Sequence, residues 1–374
     1  MLTFLFWLFV VCFLVQMWFA LNFFVPVLRQ QKYTAPPEPS LPVSLIICAK
    51  NEARSLERNL PALLAQRYMN AAGNLLYEVI VVDDASDDHT AEVLRRLAPE
   101  YSHLRIVTIG NHETRTLPGK KFALSKGVAA AAHETLLLTD ADCSPASEDW
   151  ISRMTAPLAS GAGIVAGYGG YGRQDTLLNG FIRWETVHTF ILYAAFARAG
   201  RPYMGVGRNL ACKRELLMKA QAAEVWRQLP SGDDDLLFRV SATADNTTVV
   251  SDPEAHTVSE AKQTWAEWLA QKKRHMSTGK YYRTGIKVLL SLYALSHALL
   301  WVLFFGLLGA ETAGLVIMLM LMRTTLYWTI WSTTSMRLRE RKFFRWIPLC
   351  DIGWLVYNFA LSPYIIWKNR QQWK

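Results

Sequence analysis

Leu136-Leu137-Leu138-Thr139-Asp140-Ala141-Asp142 is the stretch on which the reading of this chain turns. An apolar run delivers two carboxylates, one residue apart, to its C-terminal end. Carboxylate oxygens suit hard cations such as Mg²⁺ and Mn²⁺, which commonly combine one or two carboxylates with substrate phosphates. In open α/β sheets, ligands bind just beyond the carboxyl ends of the strands. The competing reading is a solvated turn after a strand, where Asp is common.

Working outward, short apolar runs predict strands over 43–48, 77–82, 104–109 and 135–138. Helical spacing predicts helices over 55–66, 90–97 and 121–132. Their alternation implies a largely parallel sheet covered on both faces. Three strands end in polar residues that such a sheet gathers at one edge: Ala49-Lys50-Asn51-Glu52, Asp83-Asp84-Ala85-Ser86-Asp87-Asp88, and Asp140-Ala141-Asp142. Side chains of this kind can hydrogen-bond a base and a ribose while a metal holds a diphosphate. Lys120, before a helix, offers either a charge for phosphate or a solvated surface. Asp87 and Asp88 read as helix caps.

Composition sets the surroundings. The 374 residues are 51% hydrophobic, include 14 Trp and carry a formal net charge of +9. Residues 2–28 are nearly free of charge and long enough to cross a bilayer. They lack the basic start and small-residue cleavage site of a signal peptide, and read as a retained anchor. Further spans are predicted over 288–308 and 312–335, the second interrupted by Arg323. A weaker segment, 346–367, carries Asp351, Asn358 and Pro363. Between the spans lies globular sequence of about 250 residues, enough for one substantial domain. The resulting division is a first span at 1–28, a Pro-rich linker at 29–42, a catalytic domain at 43–262, an amphipathic interfacial segment at 263–285, C-terminal transmembrane or re-entrant helices at 286–368, and a tail at 369–374.

Basic residues flank the spans: Arg29 and Lys32, then Lys272 to Arg274, Lys280, Arg283 and Lys287, then Arg337, Arg339, Arg341, Lys342 and Arg345. All fall on one side if the globular domain is cytoplasmic. The tail (Lys368, Arg370, Lys374) breaks this pattern if 346–367 crosses fully. A basic balance concentrated beside spans points to anionic lipid surfaces and away from nucleic acid. Five scattered cysteines, without CxxC spacing, fit a reducing compartment and no structural zinc. The expected location is the cytoplasmic (inner) membrane of a bacterium.

The ordered set CAKNEA, VVDDASDDHT, GKKFAL, LLTDADC, GVGRNLACKREL, SGDDDLL and QKKRH resembles family 2 glycosyltransferases over residues 42–282. The resemblance implies a GT-A fold, an inverting mechanism and a nucleotide-sugar donor, UDP- or GDP-linked. It implies that Asn51 and Glu52 line the nucleotide pocket, and that Asp84, with Asp83, contacts the nucleobase. Lys120 would lie near the diphosphate, and Asp140 and Asp142 would touch ribose and metal. Residues 205–209 would form a loop near donor sugar and acceptor. An Asp of 233–235 would be the general base, with Asp234 preferred. A solvated acidic loop capping a helix at 236–241 is the plainer reading of those three aspartates.

The last motif departs from the family pattern. Gln271-Lys272-Lys273-Arg274-His275 keeps the Gln and Arg of Gln-x-x-Arg-Trp but has His in place of Trp. Arg274 would still reach the diphosphate, while the missing Trp counts against processive polymer synthesis. An amphipathic reading of the same segment puts Trp265, Trp268 and Leu269 on one side, with Lys272, Lys273 and Arg274 snorkelling to headgroups. The favoured expectation is one-step transfer to a membrane lipid or lipid-linked acceptor. The rivals are a processive polysaccharide synthase, a haloacid-dehalogenase-like phosphatase with Asp140 as nucleophile, and a transporter with a cytoplasmic domain.

Overall fold

The computed structural model describes residues 1–29, 38–229, 232–340, 347–361 and 363. Most of the expected linker, Lys32, Arg341, Lys342, Arg345, the end of the 346–367 segment and the basic tail lie outside the described residues.

Helix α1 (Leu2–Phe19) passes into a π turn at Ala20–Phe24 and a 3-10 turn at Val25–Leu28, where Pro26 stops regular helix. The first half of the globular domain alternates as predicted: β1 (Val43–Ala49), α2 (Ala53–Leu64), β2 (Tyr77–Asp84), α3 (Thr90–Leu97), β3 (Leu104–Ile109), α4 (Lys120–Ala130) and β4 (Thr135–Asp140). There follow β5 (Cys143–Pro145), α5 (Trp150–Ala159), β6 (Ile164–Ala166), β7 (Gly169–Tyr171), the long α6 (Leu177–Arg198), β8 (Leu210–Lys213), α7 (Arg214–Ala222), α8 (Glu224–Gln228), α9 (Asp233–Ser241), β9 (Thr247–Val249) and β10 (Thr257–Ser259). Helices α10 (Trp265–Met276), α11 (Thr284–Leu307), α12 (Ala313–Arg337) and α13 (Ile347–Leu361) close the described chain.

The main sheet has the order β3-β2-β1-β4-β8-β6-β9, with β3 to β4 parallel and β8 antiparallel to both of its neighbours. All seven residues of β1 are buried, as expected for a strand covered on both faces. Strand order reverses beside β1, so the carboxyl ends of β1 and β4 flank the crevice where open α/β sheets bind ligands. Register places Cys48 opposite Asp140 and Ala49 opposite Asp83. A smaller sheet, β5-β10-β7, begins just after the Asp140–Asp142 pair and walls the crevice beyond it.

Three segments are long and apolar enough to cross a membrane among the described residues: Leu2–Leu28, Thr284–Leu307 and Ala313–Arg337. Each agrees with a predicted span to within a few residues. The fourth segment is represented by α13, whose 15 described residues fall short of the roughly 20 that a spanning helix needs. Arg323 and Asp351, the two charges inside apolar segments, pair with each other. The platform and the globular domain share one core. Phe24 packs on Tyr293, Tyr327 and Trp331, and the Trp331 indole N–H donates to His188 Nδ1 of α6 (3.1 Å).

Candidate active site

A cavity of about 930 Å³ opens at the carboxyl ends of β1 and β4 and runs to the apolar helices α11 and α13. Its size falls at the upper end of the range for small-molecule sites. Asp140, Asp142, Glu52, Lys120, all three of Asp233, Asp234 and Asp235, and Gln271 and Arg274 line it.

Asp140 is the last residue of β4 and forms an ion pair with Lys120, the first residue of α4. Gly119 precedes it with φ +62°, a turn that suits glycine and sets Lys120 toward the strand ends. Burial works against ionised Asp140, but the Lys120 charge prevails and holds its carboxyl below the usual value. Asp142 is different. Burial and the Asp140 charge push its pKa up, and its carboxylate accepts only a weak Cys143 thiol bond at 3.4 Å. The Asp140, Asp142 and Cys143 donor atoms lie within 4.8 Å of one another. A crowded, undercompensated carboxylate pair fits a hard divalent cation, which would relieve that repulsion. The Cys143 thiol, pushed strongly up by burial and bonded with the Ser259 hydroxyl, suits such an ion poorly.

The three aspartates form the first turn of α9, so the acidic loop expected before residue 236 is already helix. Gly232 at its N-cap has φ +79°, and a Cβ there would meet Thr278 Cγ2 at 2.3 Å. The carboxylates gain from the positive end of the helix dipole, and each side chain has its own task. Asp235 accepts bonds from the Thr278 and Tyr282 hydroxyls, tying α9 to the approach to α11. Asp234 faces the 205–209 loop, where the Gly207 N–H donates to its Oδ2 (2.9 Å). Burial and the neighbouring Asp233 raise its pKa to about 6. The loop is held rigidly: buried Asn209 donates to the carbonyls of Tyr168 and Ala255 and accepts from the Trp150 indole.

Three residues assigned to the nucleotide pocket stand beside the cavity rather than in its wall. Asn51 sits at φ +57°, which turns its amide to accept from the Asp87 N–H (2.9 Å). Asp83 accepts from the Ser86 N–H, and Asp84 is fully buried under a two-pronged bond from Arg115 at 2.5 and 3.0 Å. These contacts brace the strand-end loops together. Asp88 is not itself an N-cap, since His89 and Glu52 hold those positions, but it accepts from the first N–H of both helices, Thr90 of α3 and Ala53 of α2.

Helix α10 corrects the snorkelling reading. Trp268 and Lys272, four residues apart on one helical face, turn inward, while Gln271 and His275 border the cavity. Lys272 is buried and paired with Glu185 of α6, while Arg274 borders the cavity. Glu185 also accepts from the Thr189 (3.1 Å) and Tyr357 (3.4 Å) hydroxyls. Sequence reasoning missed Glu185, although a lone acid inside an otherwise apolar helical stretch was a signal for it. It also gave no role to Arg208, which donates to the Gly169 carbonyl, lies over the Tyr171 ring at 4.6 Å and lines the cavity.

Comparison with known proteins accords with this geometry. The signature of glycosyl transferase family 2 matches residues 44–219, and that of glycosyl transferase family group 2 matches residues 136–356. A β-monoglucosyldiacylglycerol synthase of Trichormus variabilis is 31% identical over 121 residues, 32% of this chain and 24% of the relative. A dolichyl-phosphate β-glucosyltransferase of Drosophila melanogaster is 31% identical over 160 residues, 41% of this chain and 48% of the relative. The chain thus spans a quarter to about half the length of these curated relatives. The mannosyltransferase PcManGT of Pyrobaculum calidifontis, solved with GDP-Man and Mn²⁺, superposes with a TM-score of 0.56 at 17% identity, covering 96% of this chain and 99% of its own. That likeness establishes the GT-A type of fold, and the signatures together establish that the chain belongs to the family 2 glycosyltransferases.

Proposed function

We propose that this enzyme transfers a single sugar, with inversion, from a UDP- or GDP-sugar to a membrane lipid or lipid-linked acceptor. The supporting observation is a continuous cavity that joins the Asp140–Asp142 pair, Asp234 and the apolar helices α11 and α13. A divalent ion, Mg²⁺ or Mn²⁺, would be held by Asp142 with Asp140. It would supply positive charge where the diphosphate leaves. The relatives named for diacylglycerol and dolichyl phosphate products favour a lipid acceptor.

In this reading Asp234 takes the proton from the acceptor oxygen as that oxygen bonds to the anomeric carbon. The bond from that carbon to the nucleotide breaks, and its electron pair leaves with the diphosphate. A carboxyl of pKa about 6 is ionised at neutral pH and basic enough to assist. Asp235 is committed to Thr278 and Tyr282. Arg274 and Arg208 face the Asp140 end of the cavity and oppose the negative charge gathered there. In this reading the globular domain lies on the cytoplasmic side, since Arg29, Arg283 and Arg337 all mark the ends of spans nearest that domain.

Incubating the purified protein with membranes and radiolabelled nucleotide sugars, then extracting lipid, tests the reading. One added sugar per lipid supports it. A ladder of lengths supports a processive synthase instead, and label confined to soluble products refutes the lipid acceptor.

A further inference from the structure

The cavity continues past the sugar-transfer end into the layer of apolar helices. Ser291, Ala294, Leu295 and Ala298 line it from α11, at the spacing of one helical stripe. Leu355 and Phe359 line it from α13 at the same kind of spacing. Leu295 is 60% exposed and Phe359 79% exposed, so this far wall also faces outward, where a bilayer would lie. His297 and Trp301 of α11 bond to Asp351 of α13, and Tyr293 and His297 pack on Trp354; beside that contact the small side chains of α11 leave a gap that belongs to the same cavity as Asp234.

Between the apolar and acidic halves stands a fixed polar step. Lys272 of α10 and Tyr357 of α13 both donate to Glu185 of α6 there. Lys272 is already neutralised by Glu185, with side chains only 10% and 6% exposed. Deeper, buried His297 lines the cavity with its Nδ1 unpartnered and its Nε2 near Asp351. Glu185, Lys272 and Tyr357 offer hydrogen bonds but little net charge, while Lys280 and Lys287 line the cavity at the start of α11. A phosphate passing this step would meet the Glu185 carboxylate in a low-dielectric setting, which is costly.

We infer that the gap between α11 and α13 is the lateral passage for the acceptor, and that the acceptor is a lipid alcohol with an uncharged head. This rests on the lipid-transfer reading above and narrows it. The chemistry agrees. An alcohol must lose its proton as its oxygen bonds to the anomeric carbon, and Asp234 stands ready to accept it. A phosphate monoester oxygen already lacks that proton and would bring negative charge against three aspartates. The sugar–phosphate bond of the donor breaks, the nucleotide diphosphate leaves with the electron pair, and the proton ends on Asp234.

The test uses full-length protein in vesicles rebuilt from total membrane lipid, separated by anion exchange into uncharged and anionic fractions. Ala298→Trp fills the passage, and Ala298→Val narrows it with less risk to folding. Radiolabelled UDP- and GDP-sugars report transfer, and titration with UDP or GDP plus Mn²⁺ reports an intact donor site. The expected result is label in the uncharged fraction, reduced at least tenfold in Ala298→Trp and several-fold in Ala298→Val, with nucleotide affinity unchanged. Label in the anionic fraction overturns the alcohol assignment. Wild-type labelling in both variants overturns the passage. No lipid label in the wild type, with sugar passed only to soluble alcohols, overturns the lipid-transfer reading and the passage with it.

Discussion

Asp234 illustrates how position within one turn of helix divides labour among identical side chains. Its pKa is raised to about 6 by burial and by Asp233. A base acts only when ionised, so kcat/KM should fall about tenfold per pH unit below that value and level off above it. Asp234→Asn should lower turnover by roughly 10²- to 10⁴-fold and abolish that limb, with nucleotide binding retained. A pH–rate profile of both proteins measures this. Asp142→Asn should instead remove the metal dependence of nucleotide binding, seen by titrating Mn²⁺ against UDP or GDP. The motif alone favours Asp234 by resemblance; only the fold reveals that Asp235 is engaged by Thr278 and Tyr282, more than forty positions away in the chain. Nor could Asn51 and Asp84 be placed from sequence. A residue at φ +57° points where its backbone turns it, and the Arg115 partner of Asp84 lies in an unpatterned loop.

At the level of elements, the parallel half of the sheet was readable because fully buried strands are short apolar runs with polar ends. Strands β5 to β10 were not, since three or four residues carry no usable periodicity. Helix α10 was read correctly as amphipathic but with its cationic side outward. Its inner face holds Lys272, because Glu185 of α6 awaits it there. Breaking a buried pair leaves an uncompensated charge and costs about 3–5 kcal/mol, whereas replacing both members by apolar groups is often neutral. Glu185→Leu should therefore lower the thermal stability of the protein in detergent, and Glu185→Leu with Lys272→Met should recover most of the loss. Equal losses in the single and double variants would show that the pair contributes packing rather than charge balance.

For the molecule as a whole, the question is what holds α13 in register against its neighbours α11 and α12. Apolar contacts give little direction in a bilayer, because lipid tails are as apolar as leucine. Buried polar groups supply it. Arg323 of α12 is fully buried and pairs with Asp351 of α13, and Arg323 also donates to Gln16 Oε1 in α1 (3.1 Å). The Trp301 indole of α11 donates to Asp351 Oδ2 at 3.0 Å, and His297 of the same helix approaches Oδ1 at 3.2 Å. Asp351 thus binds α13 to both helices beside it, four residues before Leu355 enters the wall of the cavity. Asp351→Leu should leave Arg323 stranded in apolar surroundings and destabilise the bundle by roughly 3–5 kcal/mol. Because the proposed donor site lies on the strand ends of the sheet, affinity for UDP or GDP should stay within about twofold of wild type, while transfer to lipid falls at least tenfold. Adding Arg323→Met should restore thermal stability without restoring transfer, since packing alone does not set the position of α13. Recovery of both would mean that the charge pair contributes stability only, and that the wall of the cavity is positioned by other contacts.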